Sequence, residues 1–443
     1  MSPGAEFKIS GPQRLRGRLR VPGDKSISHR ALLFAAVARG QCRLSGLADG
    51  KDVAATRAAI EALGVHVRDA GTSGDTPGPP GGVVVVRGSG FEGLSEPEAV
   101  LDCGNSGTSV RLLAGLLAGR PFHSVLTGDA SIARRPMGRV VEPLRAMGAH
   151  IDGRRGGEFT PLSVRGGGLV GRRHELPVAS AQVKTALILA GLQAQGLSEV
   201  VEPAPSRDHS ERLLAVLRAG LAPIPGGVRV EPGGALSAFD LAVPGDPSAA
   251  AFFVVGACVT PGSDLVVEDV CLNPTRIAFV EVLRRMGARI DVEVKEERGG
   301  EPAGDIHVLA SPLRATTMAG AEIPSIIDEI PALAVAAAFA EGTTEISDAG
   351  ELRVKESDRI GTIAQELSQL GIPVEVRADG LAVHGGRPRA GLLKSHGDHR
   401  IAMAAAIAAN ACEGASTIRS WQAIASSYPG FAEDLGQVTG EGR

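Results

Sequence analysis

The chain has 443 residues, 43% of them apolar and 22% charged, with a formal net charge of −4 at pH 7. That length carries two or more domains, the balance suits a soluble globular protein, and the lack of a global basic field argues against nucleic-acid binding. Aromatics are only 3% while glycine reaches 59 residues, so the core must be built from Ala, Val, Leu and Ile.

The opening MSPGAEFKIS has no charged n-region followed by an apolar h-region, so no secretory signal is expected. No apolar run approaches the roughly 18 residues of a membrane span, and the expected location is the cytoplasm. Five cysteines (Cys42, Cys103, Cys258, Cys271, Cys412) form no CxxC and no metal-ligand spacing. They are read as reduced, buried thiols.

In chain order, the first informative stretch is VPGDKSISHR at 21–30, leading into the apolar run ALLFAAVARG. It places Lys25 and Arg30 near the first turn of a predicted helix, where the dipole favours carboxylates and cations cost stability. An anion belonging to a ligand would resolve the conflict, because free N–H groups and nearby cations together bind phosphate or carboxylate. The competing reading is that Ser26 or Ser28 caps the helix and the cations are solvated. LDCGNSGTSVR then opens a second apolar helix, with Gly107 leaving room for close approach to the backbone and Arg111 one turn on; a plain tight turn is the alternative. ARRPMGR follows at 133–139, VASAQVK opens a third apolar helix at 178–184, and SRDHSE lies at 206–211.

At residue 243 the pattern returns. VPGDPSAAAFFVVGACVTPG at 243–262 repeats VPGDKSISHRALLFAAVARG at 21–40 with an offset of 243 − 21 = 222. The apolar helices ending at Gly119 and Gly342 are offset by 223, and those ending at Gly196 and Gly414 by 218. Between them, EALGVHV, RAMGAHI, LRAGLAPI, RRMGARI and SQLGIPV each read as helix, glycine, strand. The chain therefore consists of six strand-and-helix units, three per half. The Ala-rich helices are apolar nearly all round and should be buried. TSGDTPGPPGG (72–82), GRRGGE (153–158) and EERGGEPAG (296–304) are read as hairpin or loop tips.

Five motifs in register, VPGDKSISHR, LDCGNSGTSVR, GDASIARRPMGR, ELRVKESDR and GDHR, resemble the 5-enolpyruvylshikimate-3-phosphate synthase family from about residue 7 to the C-terminus. The resemblance implies a two-lobed inside-out α/β barrel built from six repeated strand-helix units, three per lobe. Placing the crossings at the twin VPGD segments, near 21–24 and 243–246, gives one lobe of 1–20 and 243–443 and another of 21–242. It further implies transfer of the enolpyruvyl group of phosphoenolpyruvate to the 5-hydroxyl of shikimate 3-phosphate, with release of phosphate. No metal or organic cofactor is implied. The expected partners are those two small anions, with no nucleic acid and no membrane, and the expected state is a monomer that closes on its substrates.

By the same resemblance, shikimate 3-phosphate is held by Lys25, Ser26, Arg30, Ser180, Ala181, Gln182, Arg207, Asp328 and Lys355. Phosphoenolpyruvate is held by Lys25, Asn105, Gly107, Arg135, Gln182, Arg359 and Arg400. Arg134 is read as the solvated neighbour of Arg135, and Gln182 has a competing reading as a plain exposed helix residue. Asp328, Glu356 and Lys25 are the catalytic candidates: Asp328 faces the 5-hydroxyl and Glu356 exchanges the proton at C3, two carboxylates suiting such acid–base work. Glu329 is adjacent, and on a helix it would point about 100° away. For Glu356 the alternative is a surface ion pair with Lys355 or Arg359; Lys355 and Arg359, four apart, share a face if the segment is helical. Asp398 and His399 are read as structural. Gly107 stands where some glyphosate-insensitive relatives have Ala, which implies a sensitive enzyme. Ser426 departs from a Lys that contacts phosphoenolpyruvate in many relatives.

Two other functions compete. UDP-N-acetylglucosamine enolpyruvyl transferases share the fold and the donor but carry an active-site Cys near GDASIARRPMGR, and this chain has none between Cys103 and Cys258. A non-catalytic anion-binding protein of the same fold would need the cations but not both carboxylates.

Overall fold

The computed structural model describes residues 5–70 and 82–440. Six helices are buried almost end to end: α1 (Lys25–Val37), α2 (Gly107–Ala118), α3 (Ala181–Gly191), α4 (Pro247–Val259), α5 (Ile330–Ala338) and α6 (His399–Ala411). Their sequences carry no polar face, and the sheets enclose them. None of the described helices is long and apolar enough to cross a membrane.

Six sheets accompany the six helices. The strand after α1, Ala38–Ser45, pairs in parallel with Leu236–Ser237 and Asp240–Ala242 and antiparallel with Val83–Ser89, which pairs with His66–Ala70. His123–Thr127 after α2, Ser198–Val201 after α3 and Thr343–Ile346 after α5 repeat this arrangement. The strand Asp264–Cys271 after α4 follows it too. The sixth sheet has three strands, and there Gly414–Arg419 pairs antiparallel with the N-terminal strand Glu6–Gly11. The outer helices 51–62, 138–146, 209–216, 278–285 and 359–369 each end close to a left-handed glycine (Gly64, Gly148, Gly220, Gly287, Gly371) that turns the chain into the next strand. The mixed α/β, six-unit reading of the sequence is what the structure contains.

The chain forms two compact units, one of Met1–Pro22, Pro244–Glu296 and Pro302–Arg443, the other of Gly23–Val243 and Glu297–Glu301. The first unit packs α4, α5 and α6 against one another around a continuous apolar cluster from Ile9 to Val438. In the second, α2 and α3 meet backbone to backbone: a Cβ on Gly115 would lie 2.2 Å from the Ala186 carbonyl oxygen. All five cysteines are free and buried. EERGGEPAG is a hairpin tip turning at Gly299 and Gly300 between Arg289–Arg298 and Glu301–Leu309. GRRGGE is likewise a hairpin tip, turning through left-handed Arg155, Gly156 and Gly157 between the antiparallel strands His150–Gly153 and Phe159–Arg165. Of TSGDTPGPPGG, only Gly82 lies within the described residues.

Two local expectations need correction. Asp328 and Glu329 are not on a helix: they lie between the turn Ile323–Ile326 and α5, because Pro331 near the helix start favours initiation there. Lys355 and Arg359 do not share a helical face either. Asp358 accepts the Gly361 N–H as an N-cap, so that helix begins at Arg359 and Lys355 precedes it in extended backbone.

Candidate active site

Each unit carries its own cluster. In the second unit, the N-cap of α1 is Asp24, neither Ser26 nor Ser28; its buried carboxylate accepts the Ile27 N–H at 2.8 Å. Ser28 is structural, donating to the Asp24 carbonyl and accepting from Ala48 N–H. No acidic residue follows in the first turn, so the positive end of this dipole keeps Lys25. Lys25 Nζ sits 2.9 Å from Asp52 Oδ2, and about one fifth of its side chain stays accessible, 19%.

Arg30 is 3% exposed. Its Nε donates to Ser210 Oγ at 2.8 Å, Nη1 to the Ser26 carbonyl at 2.9 Å, and Nη2 to Thr185 Oγ1 at 2.9 Å. These acceptors are neutral, and burial pushes the guanidinium pKa down to about 10, against the opposing pull of Glu211 and Asp24. His29 beside it is held well below the usual imidazole range by burial and by Lys25 and Arg30. It is therefore a neutral ring, bonded through Nδ1 to Thr56 Oγ1 at 2.7 Å.

Ser180 caps α3, accepting from Val183 N–H. Gln182 is not a plain exposed residue: its Nε2 donates to Thr108 Oγ1 and its Oε1 accepts Arg111 Nη1, both at 2.8 Å. Arg111 thus orients Gln182 and also reaches the Pro136 carbonyl at 3.0 Å. Gly107 lies against two guanidinium groups; a Cβ there would be 2.8 Å from Arg111 Nη1 and 2.9 Å from Arg135 Nη1. Arg134 is exposed and Arg135 partly buried. Asn105 donates to Asp129 Oδ2 at 2.7 Å. Arg207 is partly buried and adds to the positive field at Arg30. The second unit therefore brings Lys25, Ser26 and Arg30 together with Ala181, and Gln182 together with Arg111, Gly107 and Arg135.

In the first unit, Arg359 is the hub. It is 1% exposed, and its Nε and Nη2 donate to Asp398 at 2.8 and 3.2 Å. Nη2 also reaches Glu356 Oε2 at 2.6 Å and Nη1 reaches Asp328 Oδ1 at 3.4 Å. Burial alone would lower its pKa, but Asp398, Glu356 and Asp328 together raise it above the ordinary arginine value. Burial would likewise raise Asp398, yet the guanidinium holds that carboxyl below the usual range. Asp398 also caps α6 through the Arg400 N–H at 2.9 Å.

Asp328 is gripped from several sides: Lys355 Nζ lies 3.3 Å from Oδ1, and Arg400 Nη1 donates to its carbonyl at 2.7 Å. Its side chain is 15% accessible and that of neighbouring Glu329 is fully buried, 0%. Glu329 accepts from Ser248 and lies 3.8 Å from Arg400 Nη1. The ion-pair alternative for Glu356 describes its geometry, except that the partner is buried rather than on the surface. Ser426, ending the turn Trp421–Ser426, donates to the Ala423 carbonyl and brings no charge. Asp52, Thr185, Ser210, Glu202 and Arg111's grip on Gln182 were not evident in the sequence, because their partners lie 18 to 180 residues away at spacings that carry no periodic signal.

The architecture places the chain with the enolpyruvyl transferase fold: the enolpyruvyl transferase NikO from Streptomyces tendae shares it at a TM-score of 0.77, 20% identity and 98% of both chains. An EPSP synthase from Acinetobacter baumannii superposes at a TM-score of 0.85 with 42% identity over 98% of both chains. The model of the family "EPSP synthase (3-phosphoshikimate 1-carboxyvinyltransferase)" matches residues 9–435. A 3-phosphoshikimate 1-carboxyvinyltransferase from Desulforudis audaxviator is 50% identical over 98% of this chain and 99% of its own. The chain belongs to the EPSP synthase family.

Proposed function

We propose that this enzyme transfers the carboxyvinyl group of phosphoenolpyruvate to the 5-hydroxyl of shikimate 3-phosphate. The observation that carries the reading is the Arg359 cluster, where two partly accessible carboxylates, Asp328 and Glu356, share one buried guanidinium with Lys355 close by. A protein that merely bound anions would have no use for the carboxylates.

Asp328, steadied by Lys355 and Arg400, takes the proton of the 5-hydroxyl as that oxygen attacks C2 of phosphoenolpyruvate. Glu356, or alternatively Lys25, delivers a proton to C3, giving a tetrahedral phosphate ester. The group that protonated C3 takes that proton back as inorganic phosphate departs with the proton held by Asp328, leaving the enol ether and restoring both residues. Lys25, Arg135, Arg359 and Arg400 supply the positive charge for the donor's phosphate and carboxylate, with Asn105 and Gly107 at the start of α2 and Gln182 beside them. Ser26, Arg30, Ser180, Ala181, Gln182 and Arg207 hold the phosphorylated cyclitol. No step calls on a metal or organic cofactor.

A phosphate-release assay with both substrates tests this. Release requires both, and the enol-ether product is identified by mass. Release with UDP-N-acetylglucosamine as acceptor would favour the rival transferase, and none with either acceptor would leave a binding protein. The absence of Cys between Cys103 and Cys258 speaks against the rival.

A further inference from the structure

Ser180 and Arg207 stand on separate segments, the cap of α3 and the loop before helix His209–Val216, yet one buried carboxylate ties both segments. Glu202 follows strand Ser198–Val201, and only 4% of its side chain is accessible. Its Oε1 accepts the Ser180 N–H at 2.9 Å. Its Oε2 accepts the Ser206 hydroxyl at 2.9 Å and the Lys184 ammonium at 2.6 Å. Lys184, itself 5% accessible, also reaches Glu211 Oε1 at 2.7 Å. Burial would lower the Lys184 pKa, but Glu211 and Glu202 raise it, so the ammonium stays charged.

An ion cluster this dry pays a desolvation penalty that apolar packing would avoid. What it supplies is direction. Charge-assisted hydrogen bonds fix a turn of α3, the end of a strand and the loop carrying Arg207 at set distances. Neighbouring Thr185 does the same for Arg30, through Ser210 at 2.7 Å and the Arg30 Nη2 at 2.9 Å.

We propose that Glu202, with Lys184, is a positioning pair that sets the spacing of the Ser180–Ala181 turn and Arg207, and thereby the grip on the phosphate of shikimate 3-phosphate. Neither residue touches substrate. The inference rests on the function proposed above.

The test is calorimetric titration of the whole enzyme with shikimate 3-phosphate, alongside steady-state kinetics, for Glu202→Ala and Ser206→Ala, with Arg207→Ala as reference. Losing the charge-assisted ties should weaken shikimate 3-phosphate binding about tenfold in Glu202→Ala and about threefold in Ser206→Ala. The KM for phosphoenolpyruvate and kcat at saturating shikimate 3-phosphate should stay within about twofold. Unchanged affinity, with only a lower melting temperature, means a merely structural role and overturns the proposal. Equal rises in both KM values overturn it too. If Glu202→Ala does not fold, Ser206→Ala decides by the same criterion. Weakening in Arg207→Ala alone overturns this inference and spares the functional reading, whereas an unsubstituted enzyme that does not bind shikimate 3-phosphate overturns both.

Discussion

Arg359 and Asp398 form a fully desolvated pair, 1% and 0% accessible, with the guanidinium Nε 2.8 Å from the carboxylate that also caps α6. One bond thus joins the buried Arg359 guanidinium to the helix that presents Arg400. Asp398→Asn leaves a buried guanidinium with less compensation and should cost about 3–5 kcal/mol of stability, read from denaturant melts. The pH dependence follows from the depressed Asp398 pKa. Its contribution is fully present above the unfolded value of about 3.9 and is lost as pH falls through the folded value. The unsubstituted protein should lose stability steeply below about pH 4, and Asp398→Asn should flatten that limb. Parallel acid-titration curves for the two proteins would refute the assignment.

Gly107→Ala should fold normally, because its new methyl meets only the flexible tips of Arg111 and Arg135. Those tips must give way, so the KM for phosphoenolpyruvate should rise roughly tenfold, about 1.4 kcal/mol. Inhibition by glyphosate should weaken with it. A KM that does not move would place the donor elsewhere.

Glu356→Gln should lower kcat by roughly 10²–10⁴-fold, the usual worth of a general acid–base group. It should also stop deuterium from solvent entering C3 of recovered phosphoenolpyruvate during turnover in heavy water. Asp328→Asn should lower kcat comparably. Undiminished exchange in Glu356→Gln would hand the C3 proton to Lys25.

Gly115→Ala tests the helix contact instead of the chemistry. Its Cβ would lie 2.2 Å from the Ala186 carbonyl oxygen and 2.5 Å from Ala186 Cα, and backbone cannot swing aside as a side chain does. Overpacking of this kind costs about 1–3 kcal/mol, measurable as a lower denaturation midpoint with kinetic constants of the folded fraction unchanged.

The sixfold repeat was legible in the sequence because α1 to α6 carry no polar face and glycines recur at near-constant offsets; that pattern is local. The cations were legible as well, since Lys25 and Arg30 violate the charge preference of a helix start. What holds them in place was not. Arg30 is fixed by Ser210, 180 residues away, and Asp328 by Lys355 across 27 residues. Neither spacing carries a periodic signal. The helical-face expectation for Lys355 and Arg359 failed because Asp358, a strong N-cap residue, starts the helix between them.

The three-stranded sheet has a consequence for biosynthesis. Glu6 and Arg419, ion-paired across its first two strands, are 413 residues apart. At roughly 5–20 residues per second of translation, the N-terminal strand waits about 20–80 s on the ribosome before its mate is made. Residues 23–243 are complete long before then, so the nascent chain must shelter an unpaired strand while its second unit folds.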